Sequence, residues 1–370
     1  MKVLSAVLLL LCAPLFAIET KSIAVPFAAG AVPSLAADGQ GGFVASYIDP
    51  AAKELKIARW QNGQWSQPSV VARGADLMIN KFDFPVVAAR GNELVASWIT
   101  KKGHGSAVHV ARSSDGGATW TTARTPHPDM ASEFGFPAVA FANDGAAELI
   151  WLDGRGLEGG MEGHGEMQLH RAVLTRDGAL ANEETIDARV CDCCATALAM
   201  TASGPIAIYR DRSHEDVRDI AAVRRTAKGW TAAQKVASDG WSIKGCPVNG
   251  PQVDARGNEV VVAWFTAANA KPAVKVAFSH DGGATFDAPV VLDETKPVGR
   301  VDVAFAANGE ALVSWVGESE AMVQRVSSRG ASGAATRIGK ANGFPRLAVS
   351  KENAAIIWSA ADGVHFTQIR

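Results

Sequence analysis

Leu94-Val95-Ala96-Ser97-Trp98 is the stretch of sequence that decides the fold. It is a short apolar run that ends on an aromatic residue, and the chain contains seven related runs. Their aromatic residues are Tyr47, Trp98, Trp151, Tyr209, Trp264, Trp315 and Trp358, at intervals of 51, 53, 58, 55, 51 and 43 residues. A period of about 50 residues indicates one supersecondary unit repeated around an axis, since each unit is too small to bury its apolar face alone.

The sequence around each aromatic run predicts a four-stranded antiparallel unit. The aromatic run, named strand B, follows a strand A that a proline often opens, as at Phe84-Pro85 and Phe136-Pro137. An alternating strand C comes next, and a glycine turn then leads to strand D. These turns are Asn62-Gly63, Asp115-Gly116-Gly117, Asp177-Gly178, Lys228-Gly229 and Asp281-Gly282-Gly283. Such units repeated around an axis are propeller blades. We therefore predict an all-β propeller of seven blades, with six blades as the alternative.

The last repeat contains strands A to C and reaches Arg370, so its strand D has to come from elsewhere. Thr20–Phe27 has strand character. Pairing this segment with the last blade would close the ring and remove an open sheet edge. We predict that the N-terminal strand completes blade 7, within a single propeller domain that covers residues 18–370.

Residues 1–17 are typical of a secretory signal peptide. Lys2 supplies the positive start, Val3–Leu11 the apolar run and Ala17 a small residue for cleavage. Cys12 would suit a lipoprotein, but Leu11 is a poor residue before a lipidated cysteine. The formal net charge of −2 does not favour nucleic acid, and no later apolar stretch is long enough to span a bilayer. We expect a periplasmic or secreted monomer.

Two of the predicted C–D turns share a longer pattern, Ser-x-Asp-Gly-Gly-x-Thr-aromatic. The Asp side chain can accept from turn amides, the glycines allow positive φ, and the Ser and Thr hydroxyls add hydrogen bonds. The aromatic residue then packs between sheets. The residues of the two turns are Ser113, Asp115, Gly117, Thr119 and Trp120, and Ser279, Asp281, Gly283, Thr285 and Phe286.

This pattern resembles the Asp-box, or BNR repeat, of the sialidase superfamily. The resemblance implies a propeller that binds a glycan and, if it is an enzyme, a glycoside hydrolase of exo-sialidase type. Sialidases use three arginines, a tyrosine nucleophile helped by a glutamate, and an aspartate acid/base. Here no arginine precedes Val32-Pro33, and both tyrosines, Tyr47 and Tyr209, occupy the repeated aromatic position. Family sialidases also have six blades. We therefore expect little or no turnover of a standard sialoside.

The mature cysteines fall on the face formed by the D–A and B–C loops, where the family binds ligands. Cys191, Cys193 and Cys194 precede blade 4, and Cys246 precedes blade 5. One interpretation is a structural disulfide that joins Cys246 to Cys193 or Cys194. The alternatives are a copper(I) or zinc site in which these thiolates gather beside His214, and a redox-active role.

Charged residues on the same loops supply candidates for chemistry and for ligand binding. Asp211 and Asp153 are the candidate catalytic carboxylates, since a glycosidase needs two carboxyl groups across its pocket. The candidate ligand-binding residues are Arg155, Arg210, Arg212, Arg300 and Arg346. Arg300 and Arg346 open inner strands, so they would point into the channel and could bind a carboxylated sugar. The alternative is that these arginines brace neighbouring blades.

The sequence thus predicts a secreted propeller that binds, and in one interpretation hydrolyses, a glycan or other small anionic ligand. The two rival hypotheses are a metal- or redox-handling propeller and a protein-interaction scaffold.

Overall fold

The computed structural model describes residues 18–27, 32–158 and 164–370. The predicted signal segment therefore lies outside the described residues, as do Ala31 and part of the loop that follows Asp153. Within the described residues there is no α-helix, and the one 3-10 turn is Ala268–Ala270. None of the helical structure described there is long and apolar enough to cross a membrane.

The strands of the described residues form seven antiparallel blades and one separate two-stranded hairpin, so the prediction of an all-β, seven-bladed propeller is confirmed and the six-bladed alternative is wrong. The A strands are Val32–Ala37, Val86–Arg90, Phe134–Phe141, Ala197–Thr201, Gln252–Arg256, Gly299–Phe305 and Arg346–Ser350. The B strands are Phe43–Asp49, Glu93–Lys102, Ala147–Asp153, Gly204–Arg210, Glu259–Thr266, Ala311–Val316 and Asn353–Ala360. The C strands are Glu54–Gln61, Gly105–Ser113, Gln168–Leu174, Ile220–Thr226, Ala273–Ser279, Glu320–Ser327 and Gly363–Ile369.

The outer D strands vary more in length than the inner three, and most are short. Those of blades 1 and 3 to 6 are Ser69–Arg73, Leu180–Asp187, Gln234–Lys235, Val290–Asp293 and Thr336–Lys340. In blade 2 the fourth strand is reduced to one bridge between Val110 and Arg124. Two-residue strands continue three of the C–D hairpins and form one B–C hairpin: Gln64–Trp65, Gly229–Trp230, Gly330–Ala331, and Leu157–Glu158 with His164–Gly165.

The N-terminal strand closes the ring, as the sequence predicted. Thr20–Ile23 pairs antiparallel with Gly363–Ile369, and Thr20 lies opposite Ile369. Beyond this strand, Val25 and Phe27 pack on the cluster shared by blades 7 and 1. Blade 7 is therefore built from both ends of the described chain, and its outer edge is paired.

The apolar core lies between neighbouring blades. Each B strand is sandwiched between two sheets, so nearly all of its residues are buried, and this explains the continuous apolar runs in the sequence. Distinct clusters fill the interfaces around the ring, for example Trp60 and Phe366 between blades 1 and 7, and Phe278 and Phe305 between blades 5 and 6. Adjacent A strands contact one another around the axis and enclose a central channel.

Most of the repeated aromatic residues tie one blade to the next. The indole N–H of Trp264 in blade 5 donates to Asp239, which follows strand D of blade 4, at 2.7 Å. Trp315 of blade 6 donates to Asp293 of blade 5 at 2.8 Å in the same way. The Tyr209 hydroxyl donates to Asp187, and the Trp358 indole to the Lys340 carbonyl oxygen. The repeated position therefore couples apolar burial to a polar cross-link.

The two Ser-x-Asp-Gly-Gly-x-Thr turns have the same hydrogen-bond pattern. In the second turn, Asp281 Oδ1 accepts from the Ser279 hydroxyl and the Thr285 N–H, each at 2.9 Å. Gly283 has φ +84°, and a Cβ atom there would lie 2.1 Å from Ile206 Cδ1, so only glycine fits. Burial raises the pKa of Asp281, but the bonds from Thr285 and Ser279 outweigh burial and hold it at about 2.

Candidate functional site

A cavity of about 320 Å³ lies on the propeller axis. Residues of all seven A strands line it, together with residues of the D–A loops that lead into them. Its mouth therefore opens on the face where the sequence placed the ligand site. Pockets of this kind, with a few polar groups among apolar walls, are the usual sites for small ligands.

Arg346 is the strongest polar feature of this cavity. Its side chain is only 11% exposed, and its guanidinium lies over the Phe84 ring, 5.1 Å from the centroid. Nη2 donates to Gln252 Oε1 at 3.2 Å, and Nε lies 3.3 Å from the Asp302 carboxylate. Nε and Nη1 have no hydrogen-bond partner among the described residues. Since Nε faces the Asp302 carboxylate, Nη1 is the nitrogen of this buried cation that keeps a free donor.

Arg300 lies at the mouth of the same channel. Its guanidinium sits 5.4 Å from the Phe82 ring centroid and 5.9 Å from that of Phe344. Its backbone has φ +56° within an irregular part of strand A, where its N–H donates to Asn249 Oδ1 at 2.7 Å. Left-handed backbone at a non-glycine residue costs free energy and often marks a functional position. Two arginines and a group of phenylalanine rings thus share the channel mouth.

Asp83 is a buried carboxyl group of the cavity that the sequence argument missed. Its two oxygens both lie 3.1 Å from the Phe136 N–H. Burial raises the pKa of Asp83 to about 7, and the Phe136 N–H and the charge of Glu133 are lesser influences. The sequence signal that could have found it is its position between Phe82 and Phe84, two residues before Pro85 in a D–A loop.

Two further buried carboxylates of the channel join neighbouring blades. Asp254 accepts from the Phe305 N–H at 2.7 Å, and Asp302 accepts from the Leu347 N–H at 2.8 Å. Burial raises the pKa of both groups. They fix the relative positions of A strands 5, 6 and 7, and hence the place of Arg346.

The structure divides the four cysteines into two pairs. Cys193 and Cys246 form a disulfide that links the loops before blades 4 and 5, which was one of the two predicted pairings. Cys191 and Cys194 are buried thiols, so the disulfide accounts for two of these four cysteines. The His214 ring hydrogen-bonds to Arg189 on the exposed surface, and a role for His214 beside the thiolates stays a prediction.

Like Arg300, whose Nη1 donates to the Asn342 carbonyl oxygen at 2.6 Å, three further predicted ligand arginines are engaged with the protein itself. Arg210 is 2% exposed and donates to the carbonyl oxygens of Arg218, Asn249 and Phe265. Arg155 pairs with Asp153 and Arg212 with Asp216. Arg210 thus braces neighbouring blades, as the alternative interpretation proposed, whereas Arg155 and Arg212 pair within their own loops.

The predicted catalytic carboxylates do not line the central cavity. Asp153 is fully buried and accepts from Arg155 and from the Trp151 indole. Although burial opposes it, the contacts with Arg155 and His170 lower the pKa of Asp153. Asp211 lies in the B–C loop of blade 4, where burial raises its pKa. Their catalytic roles remain predictions.

A second set of metal-type side chains lies beside Asp153. Ligand atoms of Asp153, His170 and Glu183 are all within 4.8 Å of one another. Arg155 Nη2, however, donates to both Asp153 and Glu183. The Arg155 guanidinium thus supplies the positive charge that a metal cation would supply between these two carboxylates.

No protein-family model and no curated protein matches this sequence. Solved structures match it at low identity. AofleA from Arthrobotrys oligospora is 9% identical, with a TM-score of 0.52, over 88% of this chain and 90% of its own. The GH93 α-L-arabinofuranosidase of Fusarium graminearum, solved with arabinobiose, is 13% identical, with a TM-score of 0.50, over 92% of each chain.

A sialidase is also among the similar structures. The Hadza microbial sialidase Hz136 is 13% identical, with a TM-score of 0.44, over 83% of this chain and 65% of its own. At such identities a structural match shows the fold alone, so the ligand has to be argued from this chain's own residues.

Proposed function

We propose that the protein binds a small anionic glycan at the mouth of its central channel, with Arg346 and Arg300 holding the anionic group. The observation that carries this proposal is the Arg346 guanidinium, which is buried and whose Nη1 has no partner among the described residues. A buried donor left unpaired costs free energy, and a carboxylate oxygen would accept a charge-assisted hydrogen bond from Nη1.

The surroundings of the two arginines favour a sugar over a bare inorganic anion. Phe82, Phe84 and Phe344 form an apolar rim whose rings are 5.4 to 6.5 Å apart. Such a rim can cover the apolar face of a pyranose ring, while the cavity admits a group of monosaccharide size. The two Asp-box-like turns and the fold shared with the arabinofuranosidase support a glycan ligand as well.

Binding is proposed here, and cleavage is not. Tyr47 and Tyr209 are 2% and 1% exposed, and the Tyr209 hydroxyl donates a hydrogen bond to Asp187. Neither hydroxyl is therefore placed to attack a substrate. The predicted export signal would put this binding activity in the periplasm or outside the cell. Low or absent sialoside turnover stays a prediction.

Calorimetric titration of the mature protein with a matched pair of sugars tests the proposal. Galacturonic acid carries a carboxylate where galactose carries a hydroxymethyl group, and N-acetylneuraminic acid provides a second carboxylated probe. We expect the carboxylated sugars to bind at least about tenfold more tightly than galactose, a difference of about 1.4 kcal/mol.

The role of Arg346 is tested by substitution. Arg346→Gln should remove this preference, because the amide keeps a polar contact to Gln252 but carries no charge. Arg329→Gln, on an exposed C–D turn of the opposite face, is the matched control and should bind as the wild type does. Equal affinity for galactose and galacturonic acid, or full binding by Arg346→Gln, would contradict the proposal.

A further inference from the structure

Three sulfur atoms from two redox pairs lie side by side at the start of blade 4. The Sγ atoms of Cys191 and Cys194 are 3.7 Å apart, and Cys191 Sγ is 4.0 Å from Cys193 Sγ of the disulfide. All three cysteines are buried, and Val248 packs against them. The fourth, Cys246, belongs to an exposed stretch of the next loop. The Cys193–Cys246 disulfide thus lies between the buried thiols of Cys191 and Cys194 and the protein surface.

A buried cation lies against the sulfur that is closest to the disulfide. Arg218 is 4% exposed, and its Nη1 lies 3.2 Å from Cys191 Sγ and 3.1 Å from Asp192 Oδ1. A guanidinium at this distance stabilises a thiolate, which is the nucleophile in disulfide exchange. The hydrogen bond with Cys194, and then the charges of Arg218 and Arg210, lower the pKa of Cys191 to about 6 against the effect of burial.

We propose that these four cysteines form a thiol–disulfide relay, in which the buried Cys191–Cys194 dithiol delivers two electrons to external disulfides through Cys246. This activity is separate from the ligand site and does not depend on it. The substrate class is a disulfide compound that can approach an exposed cysteine.

The internal exchange conserves atoms and electrons. The Cys191 thiolate attacks Cys193 Sγ, so the Cys191–Cys193 bond forms, the Cys193–Cys246 bond breaks, and the electron pair leaves on Cys246. Cys194 then attacks Cys191 and passes its proton to the departing Cys193 sulfur. The disulfide has moved from Cys193–Cys246 to Cys191–Cys194, and two electrons have moved outward.

The external exchange restores the surface disulfide. The exposed Cys246 thiolate attacks one sulfur of an external disulfide, forms a mixed disulfide and releases one thiolate. Cys193 then attacks Cys246 Sγ and releases the second. The sum is one external disulfide reduced to two thiols while the Cys191–Cys194 dithiol becomes a disulfide, with protons exchanged with water.

A soft-metal site is the competing use of the same sulfurs. The three clustered Sγ atoms lie within 4.8 Å of one another, as three ligands of copper(I) or zinc would. The disulfide leaves only two of these cysteines as thiols, and the Arg218 charge beside Cys191 opposes a bound cation. The structure therefore favours electron transfer over metal binding.

Oxidised glutathione is the probe for the relay. The native protein is incubated with it, quenched in acid, alkylated and mapped by mass spectrometry without reduction. We expect two disulfides, Cys191–Cys194 and Cys193–Cys246, and release of two glutathione thiols per chain. Cys193→Ser should trap glutathione on Cys246, and Cys194→Ser should stop before the second disulfide forms.

Two substitutions separate the relay from simple oxidation of buried thiols. Cys246→Ser should slow oxidation of Cys191 and Cys194 strongly, whereas Lys244→Ser in the same exposed loop should react like the wild type. If loss of the disulfide unfolds Cys246→Ser, Arg218→Gln is the substitution that tests the relay. It keeps all four cysteines, and the relay predicts that it slows the exchange severalfold.

Three results would overturn the proposal. The first is a wild-type protein whose two thiols stay reduced in oxidised glutathione although they react once it is denatured. The second is a rate of thiol–disulfide exchange in Arg218→Gln that equals the rate of the wild-type protein. The third is a stoichiometric metal whose removal exposes the thiols, which would assign the cysteines to a soft-metal site.

Discussion

Asp83 illustrates how one buried side chain can make a ligand site sensitive to pH. Burial raises its pKa from 3.8 to about 7, so the folded protein holds the proton more strongly than the unfolded chain does. The stability that this group contributes is complete below about pH 4 and is lost as the pH rises through about 7. Above that pH an added negative charge in the cavity should also weaken the binding of an anionic ligand.

We expect Asp83→Asn to become more stable relative to the wild type as the pH rises from about 5 to about 8, because the amide cannot ionise. The amide oxygen can still accept from the Phe136 N–H, so the loop should keep its conformation. Thermal unfolding across this pH range measures the difference in Tm. Asp144→Asn, in an exposed turn, is the control. A difference between Asp83→Asn and wild type that does not change with pH would contradict the prediction.

At the scale of single elements, the tie between strand B of one blade and strand D of the previous blade explains the repeated aromatic position. Asp239 after blade 4 accepts from Trp264 at 2.7 Å and from Lys275 at 2.6 Å, both in blade 5. Its side chain is 5% exposed, so these bonds are shielded from water. Hydrogen bonds to a buried charge contribute about 1.5–3 kcal/mol.

Trp264→Phe should lower the free energy of unfolding by removing this bond as well as part of the indole. A double-mutant cycle with Asp239→Ala, followed by urea unfolding, isolates the pairwise contribution, for which we expect about 1–3 kcal/mol. Trp120→Phe is a matched control, because the Trp120 indole nitrogen has no hydrogen-bond partner among the described residues. An interaction energy near zero would show that the aromatic position acts through packing alone.

The elements themselves were predictable because each blade repeats local signals. Apolar B strands recur in every repeat, and glycine turns and proline-opened A strands recur in most, so seven blades and their closure followed from the sequence. The cross-links were not predictable, because Asp239 and Trp264 belong to different blades and no local pattern states that two blades touch there.

The site was only partly predictable for a similar reason. The sequence placed Arg300, Arg346 and the cysteines together on the face of the D–A and B–C loops, since loop position follows from strand order. It could not say which way a loop side chain turns, so Arg210 was assigned to the ligand although it points into the protein. Asp83 was missed because its importance comes from burial by a neighbouring blade.

At the scale of the whole molecule, closure of the ring depends on one short strand. Deleting residues 18–28 should lower Tm sharply, because it exposes the edge of Gly363–Ile369 and removes Val25 and Phe27 from the cluster between blades 7 and 1. A synthetic peptide of residues 18–28 added in trans should restore part of the lost stability. An unchanged Tm after the deletion would show that the N-terminal strand contributes little to stability.

The pairing of Thr20–Ile23 with Gly363–Ile369 also fixes when folding can be completed during synthesis. Thr20 pairs with Ile369, so the first strand to leave the ribosome has to wait for the last one. Until then both ends of the growing row of blades present unpaired edges, and such edges pair readily with other chains. Contacts this distant in sequence also slow folding. Closing the ring in this way therefore leaves the nascent chain with unpaired strand edges for a long interval. During that time these edges have to be kept from pairing with other chains.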